Sequence, residues 1–160
     1  MYSHAPENYD CPFCKIVAGE AVGGDWTAPD DVVLRTDHIT AFIGAAWWPN
    51  NAGHVIVIPN QHIENIYVMP PETHMHVVEA ARQIAIALRT TYDHCTGTST
   101  RQHNEPDGYQ EVWHHHLHVF PRYRNDFLYD LTARRRFTRA EERHLYAERL
   151  RQYLDTHLEP

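Results

Sequence analysis

Apolar and polar positions along this chain recur with two different periods, and the switches between them mark out its elements. Val32-Val33-Leu34-Arg35 and His38-Ile39-Thr40-Ala41-Phe42-Ile43 flank a short turn at Thr36-Asp37, which predicts two strands. His54-Val55-Ile56-Val57-Ile58 is rich in β-branched residues and stopped by Pro59, which predicts a third. Over 71–93 the period lengthens. Met75, Val78, Ala81, Ala85, Leu88 and Tyr92 recur at three- and four-residue steps, which predicts a helix with one apolar stripe. Pro71 suits its first turn, where a missing N–H costs nothing. After Gly97, the segments 98–104 and 112–120 return to strand character across a turn at Glu105-Pro106-Asp107-Gly108. A last helix is expected over 138–157. Thr138 and Glu141 form a capping box at its start, and Tyr146, Leu150, Tyr153 and Leu154 line one face. Residues 1–30, punctuated by prolines and glycines, are expected to be loop-rich. Strands, helix, strands, helix, with connections short enough for hairpins, make an α+β pattern with an antiparallel sheet. The 160 residues suit a single domain.

Composition changes this picture in three ways. A formal net charge of -7 argues against nucleic-acid binding through a basic face. No apolar run approaches the roughly 18 residues of a membrane span, and the polar start of the chain carries no secretory signal. A cytoplasmic protein with reduced cysteines is therefore expected, so the C-x-x-C at Cys11 and Cys14 suggests metal or redox chemistry rather than a structural disulfide. Cys95, past the long helix, is expected to be a buried thiol without function. The unusual entry is histidine: 14 residues, enough to carry the formal charge from -7 to +7 if all were protonated.

The histidines are densest in Trp113-His114-His115-His116-Leu117-His118-Val119-Phe120. On a strand, side chains alternate between faces, so His114, His116 and His118 share one face and His115 points to the core side. Successive members lie about 6.6–6.8 Å apart along the strand, which puts the first and third ~13 Å apart. A single zinc ion, with Zn–N bonds of about 2.0–2.1 Å, cannot take all three. Two neighbours can share a metal, and the third needs another task. The plain alternative is a solvated strand face, but such a face usually mixes residue types. Cys11 and Cys14 can clamp one ion, with His54, His62 and one ladder histidine as further candidates. A redox pair is the weaker reading, because the segment before Cys11 is polar and loop-like. A shell of two cysteines and two histidines would be closed and structural, leaving the chemistry to free histidines.

Cys11-Pro12-Phe13-Cys14, Gly53-His54-Val55-Ile56-Val57-Ile58-Pro59 with His62, Asn104, Gln110 and His114 through Arg122 together resemble the histidine-triad (HIT) superfamily, in its zinc-containing bacterial branch. The match runs over about residues 11–124. The resemblance implies a five-stranded antiparallel sheet and a homodimer with a continuous ten-stranded sheet. It implies a nucleotidyl hydrolase that cleaves a nucleotide phosphoramidate or phosphoanhydride through a covalent intermediate on His116. A nucleotidyltransferase or dinucleoside polyphosphate phosphorylase using the same intermediate, and an idle nucleotide-binding protein, are the alternatives. His118 and His54 are implied around the phosphoryl group, and Asn104, Gln110, His118 and Phe42 in substrate contact. Zinc is implied on Cys11, Cys14, His62 and His114. For the nucleophile to work, one nitrogen of His116 must donate a hydrogen bond, for which a carbonyl of its own strand can serve, leaving the other free to attack phosphorus.

The chain departs from that pattern in places. His115 stands at an apolar position, and Gly44 replaces an acidic residue that many members direct at the ribose. Tyr109 and Glu111 flank Gln110 where small residues are usual, and a carboxylate at 111 would repel phosphate unless it turns away or pairs with an arginine. Of Trp47 and Trp48, one is expected to pack under the sheet and the other to face the ligand. Arg122, Arg124 and Arg134-Arg135-Arg136 form a late basic cluster near the site.

Overall fold

The computed structural model describes residues 2–157. Five strands form one antiparallel sheet: β1 (Val32–Arg35), β2 (Ile39–Ile43), β4 (Val55–Pro59), β6 (Leu117–Arg122) and β5 (Gly97–Gln102), in the order β1-β2-β4-β6-β5. A short β3 (Ala46–Trp47) leaves this sheet to pair with β7 (Arg136–Phe137). The helices are α1 (Pro12–Ala18), α2 (Pro71–Thr91) and α3 (Ala140–His157). The α+β architecture with its five-stranded antiparallel sheet is thus as expected. Among the described residues, no helix is long and apolar enough to cross a membrane.

The alternation along the strands explains the two layers. Ile39, Ala41 and Ile43 of β2, Val55 and Val57 of β4 and Val119 of β6 join Val77, Ala80, Ile84 and Leu88 of α2 and Leu150 and Leu154 of α3 in the main core. Phe42, Ile56 and Ile58 project from the other face and pack with Phe13 and Ile16 of α1. Both faces of β2 and β4 are covered, which is why their sequences are apolar almost throughout. Gly53, at φ 72, begins the turn into β4. A Cβ there would lie 2.3 Å from the Tyr146 ring, so α3 can settle onto this turn only over a glycine.

Several expected boundaries move. The N-terminal segment is not all loop, since Pro12 starts α1 and left-handed Gly19 ends it. The helix over 71–91 buries Val77, Ala80, Ala81, Ile84, Ala87 and Leu88, while Met75 and Val78 of the expected stripe face outward. Two apolar rows run along this helix, and the row rich in alanine lets it approach the sheet more closely. The expected capping box is displaced by one residue. Thr138 bonds Ala45 through both its backbone N–H and its hydroxyl, because the β3–β7 pairing holds it there. The Arg139 N–H instead donates to the Glu142 carboxylate. Finally, the strand expected over 112–120 begins only at Leu117. The N–H of His114 turns back to Val112 and that of His115 donates to Ile63, so neither joins the ladder between strands.

Candidate functional site

His116 is set by its own backbone. Its Nδ1 lies 2.7 Å from the His114 carbonyl, which can only accept, so Nδ1 carries the proton and Nε2 keeps its lone pair. The Phe13 ring meets it edge-on, with centroids 5.3 Å apart. Burial pushes its pKa down to about 4, so the ring is neutral at pH 7. His116 opens into a cavity of about 780 Å³. His118 and His54 line the same cavity, their rings 5.3 Å apart. Both nitrogens of His54 and Nδ1 of His118 are buried without a protein hydrogen-bond partner. Buried polar atoms are almost always paired in a protein interior, so orphans gathered in one cavity mark a place for polar ligand atoms.

Burial, followed by the charge of Arg101, lowers the His54 pKa to about 3. Burial also holds His118 well below its ordinary value, with His116, His54, Arg101 and His103 adding to the effect. Both rings stay neutral in the folded chain as the pH drops below 6.5, whereas the unfolded chain takes up their protons. Stability therefore falls as the pH is lowered from 6.5 toward 3. Urea unfolding should lose about 1 kcal/mol per buried imidazole between pH 6.5 and 5.5. A His54→Leu variant should lose one such share of the pH dependence. An unchanged dependence in that variant would mean that His54 titrates alike in both states.

Cys11, Cys14, His62 and His114 bring one ligand atom each to within 4.8 Å of one another. The Sγ atoms of Cys11 and Cys14 lie 3.4 and 3.6 Å from His114 Nδ1, and Cys14 Sγ lies 3.3 Å from His62 Nδ1. A tetrahedral zinc shell with Zn–S of about 2.3 Å and Zn–N of about 2.1 Å separates S from N by roughly 3.6 Å. His114 is also in the tautomer a metal needs. Its Nε2–H donates to the Pro59 carbonyl at 2.9 Å, which turns the Nδ1 lone pair toward the thiols. The four residues thus fit a metal ion in spacing and donor chemistry.

Not every sequence-derived candidate reaches the cavity. Phe42 lines its apolar end with Phe13, Ile56 and Val112. Gln110 is buried and turned into the fold, its amide donating to the Glu64 and Val112 carbonyls and its oxygen accepting from the Glu105 N–H. Asn104 is held by the Ile66 N–H and the Gln102 side chain. At position 44 a Cβ would lie 2.5 Å from His54 Nε2, so the His54 ring takes the space that an acidic side chain would need. Glu111 lines the cavity and is paired with Arg135, which offsets its repulsion of an anion. Trp47 packs in the core against Tyr146, and Trp48 lines the cavity beside His54. His115 is buried toward His74 of α2. Arg122 is committed to Asp126 and Arg136 to Glu142. Cys95 is buried, its thiol against the Gly97 carbonyl.

Sequence reasoning passed over Phe13, Arg101 and His103 as cavity residues, whereas the late basic cluster it placed near the site does contribute Arg135 to the lining, together with Thr132, Ala133 and Phe137. The signal for Arg101 and His103 was present. Ser99 and Arg101 share one parity along β5, continued by His103 just past its end, as His118 and Phe120 do along β6.

The model of the HIT domain family matches residues 26–125. The protein hit of Bacillus subtilis is 35% identical over 120 residues, covering 75% of this chain and 74% of that one. The adenosine 5'-monophosphoramidase of Saccharomyces cerevisiae is 29% identical over 121 residues, covering 74% and 67%. A zinc-bound histidine triad family protein from Mycobacterium smegmatis superimposes with a TM-score of 0.73 at 28% identity, over 92% of this chain and 94% of that one.

Proposed function

This chain belongs to the HIT domain family, and on that premise we propose that it is a nucleotidyl hydrolase that cleaves a nucleotide phosphoramidate or phosphoanhydride through a covalent intermediate on His116. The observation that carries this reading is the His116 Nδ1–H held by the His114 carbonyl, which leaves Nε2 as a free nucleophile in a cavity with His54 and His118. Attack by Nε2 forms a P–N bond and breaks the bond to the leaving group, which departs with the electron pair. Water then attacks phosphorus and loses its proton to solvent. The imidazole recovers its lone pair, and a nucleoside monophosphate is released. Splitting one displacement into two lowers each barrier. His54 and His118 stand where their N–H groups can hydrogen-bond the phosphoryl oxygens. The activity of the yeast relative, a monophosphoramidase, agrees with this class of reaction.

The same reading gives Cys11, Cys14, His62 and His114 to a structural zinc ion. When bound, it supplies a closed four-coordinate cross-link between α1, the loop after β4 and the approach to β6. It also extends to a homodimer, supported by the free edge of β5 and by Met75, Val78 and Ile86, exposed along one face of α2.

The test is stereochemical. A nucleotide substrate with a chiral thiophosphoryl group should be hydrolysed with retention of configuration, since two in-line displacements invert twice. Inversion would mean direct attack by water and would end the covalent reading. Hydrolysis of no member of a phosphoramidate and phosphoanhydride panel would leave a binding protein. Native mass spectrometry of the same sample should show two chains with two zinc ions, and a metal-free monomer would remove both extensions.

A further inference from the structure

Arg101 is the one strongly basic group among the cavity-lining residues with no ionic partner in the described structure; the other, Arg135, holds Glu111. β5 pairs with β6 so that Arg101 lies opposite His118, and directly paired residues project from the same face of a sheet. Arg101 therefore enters the cavity beside the ladder. Its guanidinium carbon lies 4.8 Å from the centroid of the Trp48 ring and 4.9 Å from that of Phe120, and its Nε is buried without a hydrogen-bond partner. Two aromatic faces orient such a group, but they do not replace the acceptor that its buried Nε–H has lost. A guanidinium in this state is a fork that fits phosphate oxygens in pairs.

Its place along the cavity decides what it can bind. Phe42 touches Phe13 at 5.4 Å between ring centroids, Phe13 touches His116 at 5.3 Å, and His116 touches His118 at 5.2 Å. His118 touches His54 at 5.3 Å, His54 touches Trp48 at 5.5 Å, and Arg101 follows. The nucleophile thus stands between an apolar aromatic end and a cationic end. A nucleoside fits the first. With its phosphorus at His116, the group that leaves extends into the second. We propose that Arg101 binds an anionic leaving group and so makes phosphoanhydrides, in which a phosphate departs, the preferred substrates over phosphoramidates with a neutral amine. In the first step the His116–phosphorus bond forms and the bridging P–O bond breaks. The electron pair remains on the bridging oxygen, and the departing phosphate gains the negative charge that Arg101 faces.

This inference rests on the hydrolase reading, and its test separates the two. Adenosine 5'-phosphoramidate and diadenosine triphosphate serve as probes for the wild type, Arg101→Gln and Arg101→Lys. Arg101→Gln should lose about 10- to 100-fold in kcat/KM on the triphosphate, the range of a charge-assisted hydrogen-bonded pair. It should lose less than about three-fold on the phosphoramidate, and Arg101→Lys should recover part of the triphosphate activity. Equal losses on both probes, or no loss on either, would overturn the proposal. Inorganic pyrophosphate binding, measured by calorimetry, gives a readout independent of turnover. It should weaken at least about ten-fold in Arg101→Gln, and unchanged binding also overturns the role. A wild type that binds pyrophosphate through Arg101 but turns over neither probe would refute the hydrolase reading while leaving the anion site standing.

Discussion

His116→Ala is expected to leave a folded protein whose nucleotide turnover has dropped by at least about 10³-fold, the scale seen when a covalent nucleophile is removed. Four imidazoles line the cavity. His103, at its edge, also has Nδ1 on a carbonyl, that of Gly108. Among the clustered rings of His54, His116 and His118, only His116 is prepared for attack. His116 has its proton fixed on Nδ1 by a carbonyl two residues back along the chain. His54 has no protein partner at either nitrogen, and His118 has none at Nδ1, so nothing in the fold selects a nucleophilic tautomer for them. The truncation gives up one hydrogen bond and an edge contact with Phe13, so the stability change should stay near 1–2 kcal/mol. The measurement is steady-state kinetics on the phosphoramidate and phosphoanhydride panel, with circular-dichroism melting as the folding control. Turnover within ten-fold of wild type in a folded variant would move the nucleophile elsewhere.

The largest expected stability effect lies at Arg143, on α3. It is 1% exposed, and its Nε lies 2.8 Å from Asp31, which is equally buried. Its remaining donors reach the carbonyls of Asp25, Trp26 and Thr138. One side chain thus ties the helix to the loop carrying Trp26 and Thr27 and to the end of the stretch that covers the cavity. Asp31 also accepts from the Ala28 N–H. Arg143→Ala leaves a buried carboxylate without a counter-charge and three carbonyls without donors, which should cost about 3–5 kcal/mol. Urea unfolding at pH 7 measures it. Arg143→Met combined with Asp31→Asn should recover a large part of the loss, since no charge is then stranded. A single-variant loss below about 1 kcal/mol would show that water reaches Asp31 and that the pair is not what holds the loop.

Much of this site was legible along the chain because β-structure converts residue parity into direction. The alternation that covers β2 and β4 on both faces and places His118 and Phe120 together on one side of β6 needs no knowledge of the rest of the fold. The C-x-x-C spacing suggested a metal site but left its histidines open, and the fold brings Cys11 and Cys14 together with His114 of the ladder and His62. Helix α2 shows where local pattern runs out. Its sequence holds two apolar rows, one through Met75 and Val78 and one through Val77 and Ile84, and both satisfy helical spacing. Only the sheet and α3, pressing on the alanine side, choose between them. Thr138 fails in the same way, because a cap and a strand partner compete for one residue and the distant Ala45 wins it.

By itself, then, the sequence determined most of the element types, the shared face of His118 and Phe120, and the thiols and imidazoles available to a metal. Those properties depend on neighbours within a few positions. The tertiary structure alone decided that Arg101 stands opposite His118, that Glu111 is neutralised by Arg135, and that Gly44 makes room for the His54 ring. It also decided that Gln110 turns its amide into the fold rather than the cavity. Each of these depends on strand register or on a contact between segments far apart in the chain. Register and long-range contact are set by how the whole core packs, and no local pattern encodes them.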